Sequence, residues 1–384
     1  MTSESVIRLA DDHLGLYIHI PFCVSKCFYC DFVSFAECDN ELHEKYLAAM
    51  RAEAKKWANI LCGRGIDSLY IGGGTPSTLN EKNLSFLFSE ILPLFDIKDT
   101  AERTIEVNPR TIDEKKLEII AKNVNRVSIG VQSFNDNELK IIGRKQSKED
   151  AENALELIKA AKIPFNLDLI FGLPEQSVEN FRISLKKAIA FAPNHISLYS
   201  LMLENNTKLS EMAENGEVNV AREEDVLLMW SAAEEELQKG GYSFYEVSNA
   251  CKEGAYSRHN VAYWLEREYI GLGAAASSYY NDFRIKNTTN LADYVENSAR
   301  AAVNAEKLSS RELFFEGLAM GLRLKEGFDV RFLEKKTGIS CPDNIHAEIL
   351  RDGDILRLSD YGFKVANQIL SDIVGYPKTY NIRE

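Results

Sequence analysis

Apolar and polar positions recur with two different periods along the first two hundred residues. Leu14 to Ile20 is an alternating apolar run that stops at Pro21, the pattern of a strand whose ladder a proline ends. From Glu41 to Leu61 the apolar residues Leu42, Tyr46, Met50, Ala54, Trp57 and Leu61 fall three or four apart with charges between them, which predicts an amphipathic helix. The alternation then repeats. Strand Ser68 to Ile71 ends in Gly72-Gly73-Gly74-Thr75-Pro76 and leads to a helix over Glu81 to Phe95. Strand Thr104 to Asn108 precedes helix Asp113 to Lys122, and strand Arg126 to Val131 precedes helices starting at Asp136 and Glu149. Strands Asn166 to Ile170 and His195 to Ser200 flank helix Val178 to Ala190. These β-then-α units, each roughly thirty to forty residues long, have the spacing of parallel crossovers.

Both an open doubly wound sheet and a parallel barrel accept six such units. The carboxyl ends of the strands decide between them. They carry Cys23, Cys27 and Cys30, then Gly73, Gly74 and Thr75, then Glu106 and Asn108, Gln132 and Ser133, Asp168, and Tyr199 and Ser200. Only a barrel brings so many strand ends to one rim. The expected fold class is α/β, a partial (β/α)6 TIM-type barrel with a small α+β, winged-helix-like C-terminal domain. The barrel is assigned to 1–245, a capping and connecting segment to 246–306, and the C-terminal domain to 307–384.

Composition narrows the partners. The chain has 384 residues with 45 basic against 58 acidic side chains, a net charge of −13, so phosphate-rich nucleic acid is not expected as a partner. No apolar stretch is long enough to span a membrane, and Met1-Thr-Ser-Glu-Ser5 lacks the features of a signal peptide. A cytoplasmic protein is expected. Seven cysteines, three of them clustered, point to a reducing compartment and a metal-type loop, not to a disulfide framework.

That loop is Cys23-Val-Ser-Lys-Cys27-Phe-Tyr29-Cys30-Asp-Phe32. Structural zinc wants four ligands, and Cys38 and His19, the nearby candidates for the fourth, continue no zinc spacing. A four-iron cube held by three thiolates leaves one iron open to a substrate or cofactor. Cys-x3-Cys-x2-Cys with an aromatic before the last cysteine resembles the radical S-adenosylmethionine (SAM) superfamily. Five further stretches, Tyr17-Ile-His-Ile-Pro-Phe-Cys23, Gly72-Gly-Gly-Thr-Pro-Ser77, Ile105-Glu-Val-Asn-Pro109, Arg126-Val-Ser-Ile-Gly-Val-Gln-Ser-Phe134 and Asp168-Leu-Ile-Phe-Gly-Leu-Pro174, resemble the oxygen-independent coproporphyrinogen III oxidase family within it.

The resemblance implies a [4Fe-4S] cluster on Cys23, Cys27 and Cys30, with Tyr29 and Phe32 beside it. It implies SAM contacts at Tyr17, Gly73, Gly74, Thr75, Glu106, Gln132, Arg144 and Asp168. The chemistry implied is one-electron reduction of the cluster and reductive cleavage of SAM to methionine and a 5′-deoxyadenosyl radical. The oxidases of the family carry another cysteine two residues after the third, where this chain has Phe32, and a long extension before the cluster. Both departures resemble the HemW branch, which binds haem and delivers it to haem-dependent proteins. That branch shares His259-Asn260-Val-Ala-Tyr263-Trp264, which implies haem contact at His259. Haem, haem-accepting apoproteins and a homodimer are the partners this branch implies. Coproporphyrinogen III dehydrogenase is the enzymatic alternative, and a zinc-holding module without redox chemistry is the third. Relatives carry Gly and His where this chain has Ala275 and Ser277, which alters one backbone approach or polar contact.

Overall fold

The computed structural model describes residues 6–298, 301–342 and 345–375; Met1 to Ser5, read above as lacking signal-peptide features, lie outside them. Six parallel strands follow the predicted order: β1 (Leu14–Ile20), β2 (Ile66–Gly73), β3 (Ile97–Val107), β4 (Arg126–Gln132), β5 (Phe165–Phe171) and β6 (His195–Ser200). The helices between them are α1 (Asn40–Leu61), α2 (Glu81–Phe86), α3 (Glu114–Ala121), α4 (Asp136–Ile141), α5 (Lys148–Ala160) and α6 (Val178–Ala190). Their starts are chemically marked: Asp39, Asn80, Asp113, Asn135, Ser147 and Ser177 each accept a first-turn N–H, a cap worth about 1 kcal/mol. The helix expected over Glu81 to Phe95 is regular only to Phe86. A wider turn, Leu87–Ile91, and a tighter one, Leu92–Leu94, complete it, because Pro93 has no N–H to continue the ladder.

Strand β1 alternates strictly. Leu14, Leu16, Ile18 and Ile20 are fully buried and join the apolar core beneath the helices. Gly15, Tyr17 and His19 take the opposite face. The parallel register continues that second face across the sheet: Tyr17 pairs with Tyr70, Glu106 with Ser128, Gly130 with Asp168, and Asp168 with Ser197. One face of every barrel strand is therefore apolar and the other carries polar groups.

Helices α7 (Lys208–Glu214) and α8 (Glu223–Lys239) follow β6, and the chain then returns to the same sheet. Strands β7 (Ser243–Glu246) and β8 (Asn249–Cys251) extend it antiparallel beyond β6. Helix α9 (Arg258–Trp264) leads to β9 (Glu268–Leu272), a seventh parallel strand on the far side of β1, followed by antiparallel β10 (Ser277–Tyr280), β11 (Phe283–Asn287) and β12 (Ala302–Lys307). The complete order is β12-β11-β10-β9-β1-β2-β3-β4-β5-β6-β8-β7, twelve strands in an open sheet. Residues 249–307 thus contribute strands to both sides of the six-unit core, and Gly271 and Leu272 lie inside β9. The turn itself is Gly273 to Ala276, where Ala275 has φ +64°. Helix α10 (Leu291–Asn297) lies between β11 and β12, and beyond β12 α11 (Ser310–Gly321), α12 (Arg331–Thr337), α13 (Asp360–Lys364) and α14 (Ala366–Val374) pack around three short strands, Phe328–Asp329, Ile349–Asp352 and Ile355–Leu358. Their apolar cluster also takes in Tyr245 and Val261, so this unit shares a core with the sheet.

Candidate functional site

The polar faces of the barrel strands open into a cavity of about 430 Å³ at their carboxyl ends. Cys23, Cys27 and Cys30 line it, with Tyr29, Phe32, Gly73, Gly74, Thr75, Glu106, Gln132, Arg144 and Asp168. Twelve of the fourteen residues selected from sequence are brought together here. Tyr17 and His259 are placed elsewhere.

The cysteine loop is held against the strand ends by backbone. Gly74 N–H donates to the carbonyl of Ile20 at 2.9 Å, and Thr75 Oγ1 lies 3.7 Å from Cys23 Sγ. A Cβ on Gly74 would fall 2.8 Å from the Phe22 carbonyl oxygen and 3.0 Å from Cys23 Sγ. Gly73, at φ +111°, turns its N–H to Glu106 Oε2 at 3.2 Å. These two glycines let the β2 end approach the loop as no other residue could. Burial raises the thiols of Cys23 and Cys30, the latter to about 11. Among the described residues no three His, Cys, Asp or Glu side chains are placed to share a single metal ion. A cube-shaped cluster does not ask that, since each thiolate binds its own iron.

Glu106 and Asp168 face the cavity from β3 and β5. Burial pushes Glu106 up to about 7; Asp168 adds to the rise, while the Tyr70 hydroxyl, donating at 2.8 Å, and the Gly73 N–H oppose it. Asp168 is also raised by burial, against hydrogen bonds from Ser197, Asn166 and Ser128. Asn166 Nδ2 donates to it at 2.6 Å and Ser128 Oγ at 3.2 Å. Gln132 sits at φ +69° where β4 shifts register, a bulge that re-aims the strand's last side chain into the cavity. Arg144 is the cavity's buried cation, with the Tyr29 hydroxyl as a hydrogen-bond partner. Its Nε is buried with no partner, and its Nη2 reaches the Gly130 carbonyl at 3.5 Å. Three thiols, a guanidinium with an unpartnered Nε and two carboxylates in one cavity fit a cluster together with a ligand that bears both an amino and a carboxylate group.

Sequence reading did not single out Tyr70, Ser128, Asn166 or Ser197. Asn166 offered a signal, since it lies two residues before Asp168 on an otherwise apolar strand and so on the same face.

A second concavity, about 530 Å³, lies on the other side of the Asp31-Phe32 segment, and those two residues line both. Tyr17, Tyr263, Trp264, Tyr269 and Tyr279 supply aromatic walls, and Arg267, Arg284 and Lys286 supply cations. Phe32 is 63% exposed, so it is not core packing. Tyr17 belongs to this groove, its hydroxyl 2.8 Å from His19 Nδ1. His259 lines neither concavity. It is 1% exposed, with Nδ1 2.9 Å from Ser68 Oγ and Nε2 2.8 Å from the Tyr263 hydroxyl. Burial lowers it to about 3, which keeps it neutral. Axial ligation of haem by this ring would require one of those two bonds to break.

The chain is similar to known proteins of one family. Residues 17–188 match the radical SAM superfamily model. The chain is 32% identical to the haem chaperone HemW of Lactococcus lactis over 92% of its own length and 95% of that protein. To HemW of Bacillus subtilis it is 32% identical, over 88% of this chain and 90% of that one, and to HemW of Escherichia coli 36%, over 72% and 73%. Among solved structures, the coproporphyrinogen III oxidase HemN of Escherichia coli superposes with a TM-score of 0.82 at 22% identity, covering 96% of this chain and 91% of that one, a likeness of fold.

Proposed function

Since this chain belongs to the HemW family of radical SAM proteins, we propose that it is a cytoplasmic haem chaperone, which takes up haem in the aromatic groove and passes it to haem-dependent apoproteins. The observation that carries this is the groove itself. A flat apolar macrocycle with two carboxylates matches walls of Tyr17, Phe32, Tyr263, Trp264 and Tyr269 with Arg284 and Lys286 at hand.

Cys23, Cys27 and Cys30 would hold the [4Fe-4S] cluster, which together with SAM would supply one-electron reductive chemistry. The chain's own residues orient that ligand. Arg144 holds its carboxylate, Asp168 accepts from a ribose hydroxyl, Glu106 offsets a cationic group, Gln132 donates and accepts, and Gly73, Gly74 and Thr75 present backbone at close range. Phe32, in place of a further cysteine, closes the loop with an apolar surface toward the groove.

The test is a haem titration of the anaerobically reconstituted chain, followed by transfer to an apo-acceptor, beside an assay for protoporphyrinogen IX with a competent reductant. Haem binding and transfer without protoporphyrinogen are expected. Formation of protoporphyrinogen IX would establish the dehydrogenase instead, and failure to bind haem in any cluster state would exclude the chaperone.

A further inference from the structure

Two phenols on the groove wall are each hydrogen-bonded to a histidine, and the two histidines end differently. Tyr17 donates to His19 Nδ1, and His19 Nε2–H is spent on the carbonyl of Val33 at 3.1 Å. A carbonyl has no proton to pass on, so that arrangement stops there. Tyr263 lies 2.8 Å from His259 Nε2, and His259 Nδ1 continues to Ser68 Oγ at 2.9 Å, which in turn lies 3.1 Å from His13 Nε2. With Tyr263 donating, every atom of this chain has one partner of the right kind: Nδ1–H of His259 donates to Ser68, and the Ser68 hydroxyl donates to His13. The relay runs inside the barrel, His13, Ser68 and His259 being 2%, 0% and 1% exposed. Rings frame it as well. Tyr70 stacks on His259 at 5.4 Å, and Tyr269 meets Tyr263 edge-on at 4.6 Å.

We propose that Tyr263, not His259, is the protein ligand to the iron of ferric haem in the groove, and that His259 is its positioning residue. The inference rests on the haem reading above. Ferric iron is a hard acceptor for which phenolate is a known haem ligand. On ligation the Tyr263 O–H bond breaks and an O–Fe bond forms. The proton goes to His259 Nε2, the His259 Nδ1 proton to Ser68 and the Ser68 proton to His13 Nε2, where the Asp67 carboxylate favours the charge and burial, Arg258, Arg267 and Lys98 oppose it; no electron changes hands. His259 is thus a conduit and need not stay charged.

Ferric haem titrated into the full chain, read by absorbance, EPR and resonance Raman, decides the matter. Phenolate–iron vibrations are expected in the wild-type protein and in Tyr17→Phe, and their loss in Tyr263→Phe, a variant that keeps the ring contacts. His259→Gln is expected to keep those vibrations while weakening haem binding by roughly 10- to 100-fold, the usual cost of removing a partner behind a metal ligand. Ser68→Ala, with both rings intact, is expected to weaken binding in the same direction. The inference is overturned if Tyr263→Phe binds haem with the wild-type spectrum and affinity, or if a nitrogen-ligated spectrum vanishes with His259→Gln. Absence of haem binding by the wild-type chain would sink the haem reading itself, a result distinct from binding through another ligand.

Discussion

Glu53, in the middle of α1, accepts a hydrogen bond from the backbone N–H of Gly273 at 3.0 Å, so that the first helix fixes the turn after β9. Asn287 Nδ2 and the Tyr294 hydroxyl donate to the same carboxylate, each at 2.6 Å. Burial still dominates and pushes Glu53 up to about 7 from an ordinary 4.5. A carboxyl raised in the folded state contributes stability that is complete below about pH 4.5 and is lost as pH rises through about 7. Over that window the loss amounts to roughly 3 kcal/mol at most. Glu53→Gln should flatten the fall in denaturation midpoint between pH 5 and pH 8 measured on the metal-free protein. An unchanged slope would show that the carboxyl is not raised.

Ala275 lies in the turn that Glu53 fixes and holds φ +64°, a conformation that costs a residue with a Cβ about 1 kcal/mol or more. Ala275→Gly should therefore raise the urea midpoint by an amount corresponding to up to about 1 kcal/mol, part of the gain being cancelled by the greater freedom of glycine in the unfolded chain. A lowered midpoint would mean that the methyl group packs usefully against the groove, which it also lines.

Gly74→Ala has the opposite sign. Its new methyl would press on the Phe22 carbonyl and on Cys23 Sγ, and neither is the far end of a flexible side chain. The cysteine loop must move, so iron and sulfide content after anaerobic reconstitution should fall toward that of Cys23→Ser, while Cys62→Ser, at an exposed thiol, should retain full content. Full cluster occupancy in Gly74→Ala would contradict the close approach described here.

Asp168→Asn keeps the shape but removes the charge, and one oxygen becomes a donor facing Asn166 and Ser128, which already donate. A hydrogen bond to a charged group is worth about 1.5–3 kcal/mol, so SAM affinity measured by equilibrium dialysis should fall by roughly one to two orders of magnitude. Equal affinity would remove Asp168 from the ligand's contacts.

The barrel units were legible because period-2 and period-3.6 patterns alternate cleanly and each change is marked by Gly, Pro or a capping side chain. Strand β9 was obscured by its own composition, since Gly271 sits in it and Gly273 and three alanines follow it. Its identity as a parallel strand comes from Leu14 pairing with Glu268, a contact across 254 positions that no local period announces. The cavity was legible because strand ends must converge in a barrel. The placement of Tyr17 was not: one residue of parity on β1 sends it toward the polar face, and only the three-dimensional course of the cysteine loop decides on which side of Phe32 that face opens. His259 likewise sits on a helix whose burial depends on docking against β2, so sequence could nominate the motif but not show that its tyrosine, and not its imidazole, reaches the groove.

Asp31 and Phe32 have the cavity on one side and the groove on the other, and a wall held in common is a thermodynamic connection. If filling the cavity alters the conformations open to this segment, affinity in the groove changes by some factor, and the cavity's occupant must feel cargo in the groove by that same factor. Cluster retention and cargo affinity are then two readings of one coupling free energy, set by two residues that follow the third cysteine of the loop.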